Sequence, residues 1–117
     1  MAIFAVHHVP SLTQARYEEV VRRLTGGKER LESPSDLPFD GLLVHAAAQT
    51  EAGFVIFDIF ESMDAVRRFG EIVKPIAEEV GIEDPPVAYP AHTFIVDSAG
   101  AEAAAVALRK EHSEPQR

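Results

Sequence analysis

The stretch FVIFDIFES, residues 54–62, decides how this chain is read. Six of its first seven residues are large and apolar, so both faces of a strand built from it are greasy. Val55, Phe57 and Ile59 point one way, and Phe54, Ile56 and Phe60 the other. A sheet with one face in water alternates apolar with polar residues, and this stretch does not. Asp58 interrupts it. Burying an unpaired carboxylate is costly, so Asp58 must be paired, protonated or used.

Its partner is sought in the preceding run, LLVHAAAQ. The two runs are separated by Thr50-Glu51-Ala52-Gly53, a few residues ending in glycine, and so read as a β-hairpin. With those four residues as the loop, Gln49 faces Phe54 and His45 falls opposite Asp58. Directly opposed side chains on one face stand about 4.5–5.5 Å apart at Cβ, within reach of an imidazole–carboxylate hydrogen bond. A slip of one residue would put His45 on the other face. The Asp58 side of the hairpin is expected to carry Leu43, Ala47, Phe54, Ile56 and Phe60. That is an apolar wall with one polar pair, the texture of a small-molecule pocket.

Outward from the hairpin, Ile3–His8 is a short apolar run ending at Pro10 and reads as a first strand. Ser11 or Thr13 can cap a helix whose stripe is Tyr17, Val20, Val21 and Leu24, with Gly26-Gly27 ending it. Residues 28–41, KERLESPSDLPFDG, form a long polar loop, either a solvated connector or a lid. Ser62 caps a second helix with Ala65, Val66, Phe69, Ile72, Val73 and Ile76 as its apolar stripe. Pro75 is expected to kink or interrupt that helix, and Gly81 to end it. Val87–Val96 reads as the last strand. The domain is placed at residues 1–96, with 97–117 an alanine-rich tail that forms at most a peripheral helix.

The order is β-α-β-β-α-β, the α+β ferredoxin-like arrangement of a four-stranded antiparallel sheet with two helices on one face. Three large side chains left in water on the other face would forfeit several kcal/mol, a large share of a small domain's stability. That face is therefore expected to meet a second copy of the chain, giving a homodimer.

Composition sets the remaining bounds. The chain has 117 residues, 46% of them hydrophobic, a formal charge of −8 and no cysteine. Thiolate chemistry and disulfides are excluded. The acidic balance and scattered Lys and Arg argue against a nucleic-acid partner. MAIFAVHHVP has no signal-peptide pattern and no apolar run is long enough for a span, so a cytoplasmic protein with no membrane partner is expected. No nucleophile-elbow, phosphate-loop or dinucleotide motif occurs.

The element order, the hairpin ending in FDIFES before an amphipathic helix, the segment KPIAEEVG and the closing run YPAHTFIV resemble the dimeric α/β-barrel superfamily. More narrowly, they are similar to its antibiotic-biosynthesis-monooxygenase-like members. The likeness covers about the first 96 residues. It implies two sheets packed face to face into a barrel with an apolar pocket per subunit. Some members oxygenate polyphenolic or quinol-like molecules with no metal or flavin; others degrade haem or isomerise lactones. Phe60 stands where those relatives often carry Trp, and the Asn, Trp and His set of the haem-degrading branch is absent.

The remaining histidines are weighed with Asp58. His7 and His8 are adjacent on the first strand, so one faces the helices or sheet edge and the other the barrel. His92 lies on the last strand. Convergence of His7, His45 and His92 with Asp58 makes these the candidate catalytic residues, against the plainer reading that each is satisfied by a nearby backbone group. Three histidines and a carboxylate can bind a metal, but no H-x-H or H-E-x-x-H spacing is present, and neither metal nor cofactor is expected. Tyr17 is expected to pack in the helix stripe and line the pocket rather than act as an acid or base. The expected function is that of a cofactor-independent enzyme, monooxygenase-like or an isomerase or cyclase, acting on a small apolar, aromatic or polyketide-like molecule in the barrel pocket. The alternative is a non-catalytic dimeric binding or structural protein.

Overall fold

The structure, a computed structural model, describes residues 1–113. Its sheet has strands β1 (Ile3–His7), β2 (Leu42–Thr50), β3 (Gly53–Phe60) and β4 (Val87–Pro90), all antiparallel in the order β2-β3-β1-β4. Helices α1 (Gln14–Thr25) and α2 (Met63–Val80) follow β1 and β3, and α3 (Ser98–Ser113) follows β4. The fold is α+β and compatible with the ferredoxin-like arrangement.

Local chemistry explains the boundaries. The Thr13 hydroxyl accepts from the Arg16 N–H to start α1, and Gly26 ends it in the left-handed region at φ 76°. Ser62 starts α2 in the same way by accepting from Ala65 N–H, and Gly81 closes it at φ 97°. α2 is not interrupted at Pro75, and runs through it to Val80. A proline removes one backbone hydrogen bond, and here both ends are capped and a full apolar stripe is docked on the protein. At the start of β2 the chain passes close beneath α2. Gly41 has φ 100°, and a Cβ there would lie 2.6 Å from that of Ala65, so only glycine fits.

The last strand is shorter than the sequence suggests. β4 pairs with β1 from Val87↔Val6 to Pro90↔Ile3, and one further bond joins Ala91 N–H to the Ala2 carbonyl. Beyond that point residues 92–97 are outside the sheet, and Phe94, Ile95 and Val96 are exposed.

Both helices cover the face that carries Ile3, Ala5 and His7 of β1 and Phe54, Ile56, Asp58 and Phe60 of β3. Two apolar clusters form there. Ile3, Ala5, Phe60 and Ala65 make one; Leu12, Val20, Phe54 and Ile82 make the other. On β3, Asp58 lies between Phe60 of the first and Phe54 of the second. The other face presents Phe4, Val6, Val44, Val55, Phe57, Ile59, Val87 and Tyr89. There Phe4 stacks obliquely on Phe57 and Tyr89 at centroid distances of 5.4 and 5.8 Å.

Residues 28–41 are an ordered loop. Ser33 caps a short 3-10 turn over Pro34–Asp36, and the Asp36 carboxylate accepts from the N–H groups of Glu32 and Ser33 while pairing with Lys28 Nζ at 2.8 Å. α3 hangs at the periphery, tied to this loop by Arg109 Nη1 donating to the Glu32 carbonyl at 2.9 Å.

Candidate functional site

The hairpin register is the one that pairs the two polar residues: His45 faces Asp58, with Gln49 opposite Phe54. The turn is tighter than expected, since Thr50 and Gly53 already pair within the ladder. The side-chain pair is short and direct, His45 Nδ1 to Asp58 Oδ1 at 2.6 Å. Asp58 is 4% exposed. Nδ1–H donates to the carboxylate, which leaves the Nε2 lone pair free. Tyr17 fills it: its hydroxyl stands 2.6 Å from Nε2 and donates to it. α1 lays the Tyr17 ring almost parallel to the imidazole, at a 9° interplanar angle, and against Phe54 at 5.0 Å between centroids. The result is a continuous chain, Tyr17 O–H to His45 to Asp58, with every proton placed by its neighbour. Among the described residues no buried side-chain nitrogen or oxygen lacks a partner. The Asp58 carboxylate is thus accommodated by a histidine that a tyrosine orients in turn.

These residues border a cavity of about 290 Å³ between the helices and the sheet. It is at the lower end of the volumes, about 300–1,000 Å³, that hold small molecules. Its lining is largely apolar, with Val20, Ile56, Val66, Phe69 and Val73 prominent. The sequence reading placed the pocket within the barrel, one per subunit. The structure instead puts it on the helical side of a single subunit, because Asp58 shares its face with Phe54 and Phe60, the residues on which the helices pack.

His7 also borders this cavity, and its Nε2 stands 2.9 Å from the Asp84 carbonyl. Burial lowers its pKa, partly opposed by that hydrogen bond and by the charges of Asp58 and Asp84. His8 points to the opposite face, with Nε2 3.2 Å from the Ala52 carbonyl. His92 is not brought to the site. It lies beyond the end of β4, exposed, with Nδ1 2.8 Å from the Thr93 hydroxyl. Among the expected wall residues Ile56 and Tyr17 line the cavity, whereas Phe54 and Phe60 are core. Leu43 is displaced. Between Leu42 and Val44 the ladder slips by one residue, so Leu42 takes the place opposite Phe60 and Leu43 is 48% exposed. Leu31 and Leu37, from the loop read as a connector or lid, line the cavity as well. Among the described residues no three His, Asp or Glu side chains gather as a metal site, and no helix is long and apolar enough to cross a membrane.

Burial raises the Tyr17 pKa to about 12, with the nearby Asp58 and Glu18 charges acting in the same direction. The phenol is therefore neutral at rest across the physiological range. Because the folded value lies above the unfolded one, near 10, stability is full below about pH 10 and falls as pH rises through about 12. Allowing for partial exposure, the loss should be about 2 kcal/mol. Urea unfolding at pH 9 and pH 11.5 should show this drop in the wild type and a smaller one in Tyr17→Phe. Equal drops would show that the fold does not hold this phenol neutral.

Comparison of the chain with protein-family models, with curated proteins and with solved structures found no match.

Proposed function

We propose that the chain is a cofactor-independent enzyme that moves a proton on a small apolar or aromatic molecule held in the cavity. The observation that carries this reading is the hydrogen-bonded chain Tyr17–His45–Asp58 on the wall of that cavity. Fixing strand register needs only the His45–Asp58 pair. The third member, a phenol that borders the cavity beside the pair, gives it a group with which to exchange a proton.

In this scheme the Tyr17 oxygen takes a proton from an acidic O–H or C–H of the bound molecule while its own proton passes to His45 Nε2. The phenolate is then never free, which suits a group with so high a pKa. Asp58 holds the imidazole in the required tautomer and stabilises the imidazolium. The proton returns to a different atom of the substrate in an isomerase or cyclase. In an oxygenase the carbanion adds dioxygen, the hydroperoxide formed on protonation loses water, and a methylene becomes a carbonyl: CH2 plus O2 gives C=O plus H2O. The element order supports placing the chain near the monooxygenase-like dimeric α/β barrels, where such chemistry occurs without a metal or flavin. The same reading puts a second copy of the chain on the uncharged open face of the sheet, which neither α1 nor α2 covers.

The test is deuterium incorporation into 2-indanone, 1-tetralone and anthrone, followed by NMR, with dioxygen uptake recorded in parallel. The folded wild type is expected to exchange at least one of them faster than buffer and faster than Tyr17→Phe does. Exchange at the buffer rate for all three overturns the reading. Oxygen uptake separates the oxygenase from the isomerase branch.

A further inference from the structure

We infer that Gly70 forms the entrance to the cavity and that Lys74, one helical turn on, pairs there with an anionic group, so that the occupant is an apolar or aromatic acid. This rests on the cavity being the binding site, as proposed above, but not on any proton transfer within it.

Gly70, Lys74 and Glu78 recur every four residues along α2 and all three border the cavity. Glycine is a poor choice in the interior of a helix, because alanine restricts the unfolded chain more and shields the backbone better. Nothing local demands it here. Gly70 is not among the residues with positive φ, and a Cβ built on it would meet no atom within 4 Å. Neither backbone conformation nor packing therefore accounts for the missing side chain. Its effect is to leave open a half-exposed part of the cavity wall.

Lys74 stands beside that opening, exposed and bordering the cavity. The arginines of α1 and α2 are engaged: Arg22 and Arg23 pair with Glu19, Arg67 with Asp64 and Arg68 with Glu61, and Arg16 donates to the Ser11 carbonyl. Among the described residues Lys74 has no ion pair and no side-chain hydrogen bond, not even with Glu78 one turn further on. Its charge is available at the cavity mouth. The Glu78 carboxylate repels an anion from its own end of the stripe, which leaves the Gly70 side of Lys74 as the place for the anionic group. An apolar body entering there extends inward towards Tyr17 and His45.

The experiment compares two fluorescent probes that differ by one sulfonate, 1-anilinonaphthalene-8-sulfonate and neutral N-phenyl-1-naphthylamine. Wild-type protein should bind the anionic probe about three- to tenfold more tightly, the range of a part-exposed ion pair. Lys74→Gln should erase that preference and leave the neutral probe unaffected. Gly70→Leu, a good helix former that fills the gap, should weaken both probes by about tenfold or more. Gly70→Ala should leave both bound, and serves as the control if the leucine variant is less stable by circular dichroism. Unchanged binding in a folded Gly70→Leu overturns the entrance. A preference that survives Lys74→Gln overturns the anion pairing. Probe binding as expected with no exchange of the three carbon acids would sink the proton-transfer reading and leave this one standing.

Discussion

Asp58→Asn and His45→Gln are each expected to cost about 2–3 kcal/mol of stability, as for a buried hydrogen bond to a charged group. Each should also lower proton exchange on a bound carbon acid by about 10²–10⁴-fold, the usual contribution of a positioned acid or base. The two losses have different origins. His45→Gln strands a carboxylate that is 4% exposed and has no other side-chain hydrogen bond among the described residues. Asp58→Asn keeps the shape but removes the charge that would stabilise an imidazolium. Once one partner is gone the second substitution has less to break, so the double mutant should cost about 1–2 kcal/mol less than the sum. Tyr17→Phe discriminates between an enzyme and a register pin. It removes one hydroxyl and leaves the His45–Asp58 pair in place, so its stability cost near neutral pH should be about 1 kcal/mol. Its effect on exchange should nevertheless match that of the other two. Denaturant unfolding and the NMR assay together decide the matter. Additive stabilities would contradict the contact, and a Tyr17→Phe variant with full exchange would remove the phenol from the mechanism.

The His45–Asp58 pairing was legible because strand geometry is periodic. Once residues 50–53 are taken as the turn, alternation by two fixes every cross-strand neighbour. The same rule failed at Leu43, where a single extra residue in β2 shifted the ladder; a bulge leaves no clear mark in a run as uniform as LLVHAAA. The length of β4 was illegible for another reason. Its composition suits a strand as far as Val96, but a strand also needs a neighbour to pair with, and composition does not say where that pairing stops; here it stops at Ala91.

Tyr17 shows the limit most clearly. Its place in the α1 stripe was read correctly, and so was its packing against the core. That its hydroxyl meets the free nitrogen of His45 depends on how α1 crosses the sheet, which the spacing of apolar residues does not encode. The choice of face was ambiguous as well. Phe54, Ile56 and Phe60 against Val55, Phe57 and Ile59 are equally apolar sets, so the sequence announces two buried faces without saying which one the helices take. Partners across the sheet decide it: Ile3 and Ala5, opposite Phe60 and Asp58, pack with Ala65 of α2.

The face left over leads to the last expectation, that the wild type sediments at twice the chain mass at micromolar concentration and that Phe57→Glu is a monomer. Phe4, Val6, Val44, Val55 and Phe57 are only partly covered within one subunit, and Val87 and Tyr89 are more than half exposed. α1 and α2 lie on the other side. A second copy brings an identical surface, so a two-fold contact would bury the Phe4–Phe57–Tyr89 cluster of both chains at once. A glutamate at position 57 would carry two unpartnered charges into such a contact, one from each chain, at a cost of several kcal/mol and so more than about a hundredfold in dissociation constant. Within a monomer the same side chain can turn to water, so far-ultraviolet circular dichroism should be unchanged. A wild type that stays monomeric at tens of micromolar would remove the barrel assembly from this reading while leaving the cavity, which lies wholly within one subunit, untouched.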